Sequence, residues 1–135
     1  AETLRTNYAR AGVAADVRDY IEDMAAEYRA CDFAICRAGA MTVAELACAG
    51  VPAVLVPFPY AVDDHQPGNA AFLADAGAGW LMQQTDLTAE KLAARIGALD
   101  RATLAAMSDK ARALAKPDAA ARVADVCETL AGGAA

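Results

Sequence analysis

Aromatic residues make up only 6% of this 135-residue sequence, with one Trp and one His. A core built on bulky rings is excluded, and alanine-rich helices with small, closely packed faces are favoured. Basic residues are also scarce: twelve Lys+Arg stand against eighteen Asp+Glu, for a net charge of −6. That balance excludes a basic nucleic-acid module, although backbone N–H groups can still bind a phosphate locally. The cysteines, Cys31, Cys36, Cys48 and Cys127, form no CxxC pair, and most lie inside apolar runs. They are expected to be buried free thiols of a reducing compartment. The longest charge-free apolar run, Leu46 to Val62, contains Pro52, Pro57 and Pro59. It falls short of the ~20 residues that a membrane-spanning helix needs. The opening residues, AETLRTNYAR, are polar and unlike a secretory signal. The missing initiator methionine raises the expectation of a processed or cleaved segment. No internal repeat, low-complexity linker or second-domain boundary is visible.

What is present is an alternation of short apolar runs and helical patterns. Residues 2–11 read as a helix stopped by Gly12, residues 15–20 (ADVRDY) as a strand of poor alternation, and residues 22–30 as a helix. DFAIC (32–36) reads as a buried strand, and TVAELACA (42–49) as a helix ended by Gly50. AVLVPF (53–58) is apolar at every position, as in a strand covered on both faces of a parallel sheet. A helix over 66–76 stopped by Gly77 and a strand at 79–82 follow. Three helices close the chain. Thr88 opens the first, with Leu87 and Leu92 at hydrophobic-staple spacing. Arg101 opens the second, and Pro117 the third. The last carries an apolar stripe of Val123, Val126, Cys127 and Leu130. The expected fold is α/β: a parallel Rossmann-like sheet with right-handed crossovers and flanking helices. Ligands of such sheets bind beyond the carboxyl ends of the strands.

Two segments at those ends carry chemistry. In CRAGAMTVAE (36–45), small residues lead from a strand into a helix. Ala38, Gly39 and Ala40 would let a ligand approach the backbone, and the N–H groups of the first helical turn suit a phosphate. Thr42 and Glu45 also have the spacing of a capping box. On spacing alone, both readings of Glu45 stay open: it folds back on Thr42, or it accepts from ligand hydroxyls. In PFPYAVDDHQPGNA (57–70), Asp63, Asp64, His65, Gln66 and Asn69 form a polar cluster within apolar sequence. A solvated loop with an aspartate cap explains it, as does a binding loop. Asp63 and Asp64 with His65 lack the further ligands a metal would need. His65 has no Ser or Cys partner at triad spacing. Gln83, Gln84 and Asp86 read as loop and cap.

The motifs DM (23–24), CRAGAMTVAE, GVPAVLVPFP (50–59) and DDHQPGNA (63–70), in this order, are specific together. Residues 20–82, and more weakly the chain to about residue 127, resemble the carboxyl-terminal half of the bacterial peptidoglycan N-acetylglucosaminyltransferases. These are glycosyltransferase family 28 enzymes of the GT-B fold. The resemblance implies transfer of GlcNAc from UDP-GlcNAc to lipid I, giving lipid II with inversion at the anomeric centre. It implies that Ile21 meets uracil through its backbone, and that Met41 and Thr42 lie beside the diphosphate. It gives Glu45 the ribose hydroxyls, and puts His65 and Gln66 against the sugar, with Gln66 on the GlcNAc hydroxyls. Arg37 and Gly39 belong to the same loop. The resemblance thus favours the hydroxyl-binding reading of Glu45. No metal, cofactor or nucleic acid is implied, and no catalytic residue falls in this segment.

The resemblance also implies what is missing. The family's amino-terminal half, with its acceptor loops and general base, has no counterpart here, nor do the first units of the donor domain. The expectation is a single partial, donor-binding domain over 1–135, incomplete as a GT-B half, with a carboxyl-terminal helix at 116–131. Alone it should be inactive and cytoplasmic, whereas the full-length family is peripheral on the inner face of the plasma membrane. Lipid I would be met through the missing half. The cut sheet edge would invite a partner segment or self-association and expose apolar surface. Two alternatives stand beside this reading: the donor subunit of a two-chain glycosyltransferase, and a non-catalytic nucleotide-sugar-binding remnant.

Overall fold

The computed structural model describes residues 2–59 and 65–132, with the backbone alone at His65. The elements run α1 (Glu2–Arg10), α2 (Met24–Ala30), β1 (Ala34–Arg37), α3 (Ala40–Ala49), β2 (Ala53–Val56), α4 (His65–Ala74) and β3 (Gly79–Leu81). A 3-10 turn at Gln84–Asp86 and helices α5 (Ala89–Gly97), α6 (Arg101–Ala113) and α7 (Ala119–Gly132) complete them.

The strands form one parallel sheet in the order β1-β2-β3. Ala34 pairs with Ala53 and Arg37 with Val56, while Ala53 pairs with Gly79 and Leu55 with Leu81. All four residues of β2 are buried, as its unbroken apolar run requires of a central strand. Its side chains alternate between two cores. Ala53 and Leu55 join Val43, Leu46 and Ala47 of α3, Leu73 of α4 and Ala111 of α6. Val54 and Val56 face the other way, with Met82, Phe33, Trp80, Leu87 and Leu92. Leu87 and Leu92 sit there as a staple demands, and Thr88 caps α5 by accepting from Lys91 N at 3.2 Å. Phe33 and Trp80 stack at a tilt with centroids 5.7 Å apart, and Arg95 lies 5.4 Å from the Trp80 ring centre.

The crossover turns are set by the local sequence. Gly50 ends α3 with φ of 71°, a left-handed conformation that costs a side chain roughly 1–2 kcal/mol. A Cβ there would also run into the Arg112 side chain. Gly79 has a different reason: its missing Cβ makes room for the Ala53 carbonyl of the neighbouring strand.

Several expectations are corrected. Residues 15–20 form no strand. The segment is tied by side chains instead of a backbone ladder. Arg5 reaches Val17 O at 3.0 Å and Asp19 at 3.4 Å, and Arg18 pairs with Asp16 and, at 2.5 Å, with Glu27. The third helix starts at Ala40 rather than Thr42, and the last at Ala119 rather than Pro117. The cysteines are free, but only Cys31 and Cys36 are partly buried; Cys48 and Cys127 are exposed. The apolar stripe of α7 buries nothing, with Leu130 73% exposed. At the β1 edge, Ile35 is 49% exposed. Among the described residues, no helix is long and apolar enough to cross a membrane.

Candidate functional site

Parallel pairing brings the loop after β1 and the loop after β2 to the same end of the sheet, beyond the carboxyl ends of the strands. The first loop is short. β1 ends at Arg37, Ala38 is buried, and Gly39 is the N-cap of α3 with φ −68° and ψ 144°. No side chain caps this helix, and no acidic residue lies in its first turn. Its leading N–H groups therefore lack the partner that a cap would supply, and the positive end of the helix dipole faces outward. A Cβ at Gly39 would meet only Thr42 Oγ1, at 3.7 Å. Neither the backbone angle nor the packing demands glycine here, which leaves closeness of approach from outside as its physical use.

Starting α3 at Ala40 removes the capping box. Thr42 is the third helical residue, and Glu45 lies a turn further on. The Glu45 carboxylate meets Tyr28 of α2, whose hydroxyl donates to Oε2 at 3.2 Å. Burial first, and the negative charge of Glu45 second, push the Tyr28 hydroxyl up to about 12. Tyr28 and Glu45 line a groove of about 510 Å³ between α2 and α3, with Met24 and Cys48. Met41, in the first turn of α3, is 74% exposed, an unusual place for a long apolar side chain.

Two side chains bind the second loop to the first, and a third braces the second loop on its own helix. Arg37 Nη1 donates to Pro57 O at 3.2 Å and to Val56 O at 3.4 Å, and its guanidinium lies 5.3 Å from the Phe58 ring centre. Gln66, on the first turn of α4, accepts from Phe58 N at 2.8 Å through Oε1. Its amide N–H₂ remains a donor for another group. Asn69 Nδ2 donates to Ala38 O at 3.1 Å.

The structure thus gathers Arg37, Gly39, Met41, Thr42 and Gln66 at the carboxyl end of the sheet, with Glu45 further along α3. Ile21 stands apart: half-buried before α2, it makes no hydrogen bond to either loop among the described residues. The His65 side chain, Asp63 and Asp64 lie outside the described residues. Gln83 precedes the 3-10 turn without capping it through its side chain, and Gln84 and Asp86 form that turn. Among the described residues no group of His, Cys, Asp and Glu is arranged to hold a metal ion. Sequence reasoning missed Tyr28 and the bracing role of Asn69. A polar residue early in α4 hinted at Asn69; nothing local marked Tyr28.

A second hollow, of about 420 Å³, opens at the opposite end of the strands beside Asp32, Pro52 and Arg101. Arg29 of α2 and Arg112, which lies against Gly50, also line it, and Arg101 pairs with Asp32 at 2.5 Å.

Over 130 residues the chain is 73% identical to the UDP-N-acetylglucosamine--N-acetylmuramyl-(pentapeptide) pyrophosphoryl-undecaprenol N-acetylglucosamine transferase of Thiobacillus denitrificans, covering 96% of this chain and 36% of the relative. The Cupriavidus metallidurans protein of the same name is 58% identical over 131 residues, covering 97% of this chain and 37% of that one. The crystal structure of Acinetobacter baumannii MurG superposes with a TM-score of 0.88 at 46% identity, over 95% of this chain and 38% of that chain. The chain therefore spans about a third of the length of the relatives it matches. Its parallel sheet and flanking helices are the carboxyl-terminal part of a GT-B glycosyltransferase fold. With the glycosyltransferase family 28 C-terminal domain model matching residues 1–123, the chain belongs to that family.

Proposed function

We propose that this chain is the donor-binding segment of a transferase that moves GlcNAc from UDP-GlcNAc to lipid I. The carrying observation is the uncapped first turn of α3, reached through Ala38-Gly39-Ala40 and followed by Glu45. The names of relatives as similar as 73% supply the donor and the acceptor.

On this reading each residue has a distinct task. The N–H groups around Ala40, Met41 and Thr42 hold the diphosphate without a metal. They stabilise the charge that grows on UDP as it leaves. The Glu45 carboxylate accepts from the ribose hydroxyls, through charge-assisted bonds stronger than neutral ones. Gln66 spends Oε1 on Phe58 N and offers its amide hydrogens to the GlcNAc hydroxyls. His65 lies beside it in the chain and is assigned to the same sugar. Arg37 acts by holding the two loops at a fixed spacing. Ile21 meets uracil through its backbone. Displacement inverts the anomeric centre, with the general base and the lipid I site in the amino-terminal half of the full-length enzyme. Residues 1–135 are then one partial domain, inactive alone, working at the cytoplasmic face of the membrane.

The test is a calorimetric titration of the chain with UDP-GlcNAc beside Glu45→Ala. Saturable binding, weakened about ten- to a hundredfold by the substitution, is expected for a lost charge-assisted bond. A folded chain that binds no UDP-GlcNAc, or binds it equally well without Glu45, overturns the reading.

A further inference from the structure

The Glu45 side chain projects from the surface of α3, where a free carboxylate would sample many rotamers. Fixing such a side chain on a ligand costs conformational entropy, and that cost is removed when the protein holds it beforehand. Tyr28 is placed to do this. Its ring is half-buried and packs against the core beneath α3, so the hydroxyl is delivered at a fixed point. That hydroxyl donates to Oε2 of Glu45 at 3.2 Å. Among the described residues, Oε1 of Glu45 has no hydrogen-bond partner, and it is left to receive a ligand. The Tyr28 hydroxyl remains a protonated donor throughout neutral pH, being pushed up to about 12.

We infer that Tyr28 is a positioning residue that holds the Glu45 carboxylate in the rotamer able to grip the vicinal hydroxyls of a ribose. The inference rests on the proposed reading of Glu45 as a hydroxyl acceptor. It adds a source of selectivity: preference for a ribonucleotide over its 2′-deoxy analogue depends on a residue that does not touch the ligand.

The experiment titrates the chain, Tyr28→Phe, Glu45→Ala and the double variant with UDP-GlcNAc and with its 2′-deoxyuridine analogue. Phenylalanine keeps the ring in the core, and thermal unfolding of each variant checks the fold. Tyr28→Phe is expected to weaken UDP-GlcNAc about three- to tenfold, the cost of ordering one side chain that the protein no longer holds in place. It should narrow the preference for the ribose form, and it should have no further effect once Glu45 is alanine. If Glu45→Ala leaves UDP-GlcNAc binding unchanged, or the folded chain binds neither ligand, the reading of Glu45 fails and Tyr28 loses its role with it. If Glu45→Ala weakens binding but Tyr28→Phe leaves affinity and ribose preference intact, only the Tyr28 assignment is overturned. It is equally overturned if Tyr28→Phe weakens both ligands alike, with or without Glu45.

Discussion

The Asn69 side-chain amide donates to the Ala38 carbonyl at 3.1 Å, joining the start of α4 to the loop that opens α3. Ala38 is fully buried, so water cannot replace the lost donor easily. Asn69→Ala should therefore cost about 1 kcal/mol of stability. Urea unfolding measures that cost. UDP-GlcNAc affinity should fall as well, because the loop that carries Gly39 loses its brace. Unchanged stability and unchanged affinity together would show that the bond does not form in solution.

At Gly39, stability and binding should move in opposite directions. The backbone is already extended at this N-cap, and an aspartate there would supply the absent cap. Asp exceeds Gly at such positions by a few tenths of a kcal/mol, or about 0.5 kcal/mol with the dipole included. Gly39→Asp should unfold at the same or a higher temperature. The same carboxylate would occupy the N–H groups and repel phosphate, so UDP-GlcNAc binding should be lost. Retained binding in this variant would remove the first turn of α3 from the site.

Two glycines with similar backbone angles should differ in tolerance. Gly12 has φ of 66° and open space where a Cβ would stand, whereas Gly50 has φ of 71° and Arg112 in the way. Gly12→Ala should cost roughly 1 kcal/mol from the left-handed backbone alone. Gly50→Ala should cost clearly more, because Arg112 must leave the end of α3. Thermal unfolding of the pair decides it, and equal losses would mean that Arg112 moves freely.

The Tyr28 hydroxyl should ionise well above the ordinary tyrosine range. Burial, then Glu45, raises it from 10.0 to about 12. A raised value in the folded state favours the neutral form. The resulting stabilisation is complete below pH 10 and disappears as pH rises towards 12. In spectrophotometric titration, Tyr28→Phe should lose a component that the unsubstituted chain shows near pH 12. Persistence of that component would assign it elsewhere.

Much of this architecture is legible in the residues. β2 is apolar at each position because it is covered on both faces, and Leu87, Thr88 and Leu92 mark the start of α5 as local caps do. Local spacing misleads at Thr42 and Glu45, where a capping-box pattern lies inside a helix that has already begun at Ala40. Small residues at Ala38, Gly39 and Ala40 permit an early start that the pattern conceals. Residues 15–20 resemble a strand but find no ladder, and their charges pair with α1 and α2 instead. The Tyr28–Glu45 bond crosses 17 residues between two helices. No periodicity within either helix announces it, because only the packing of α2 on α3 creates it.

The sheet's spatial order, β1-β2-β3, is also its order along the chain. Each new strand adds beside the one made just before it, so closing each loop requires only a short stretch of chain to lose its freedom. The bonds that join the loop after β1 to the loop after β2 lie between Arg37 and Asn69. During synthesis, from the amino terminus onward, these partners leave the ribosome before β3 does. A chain made in that direction can close the corner between these two loops first, and the helices after β3 then cover a sheet whose loop geometry is already set.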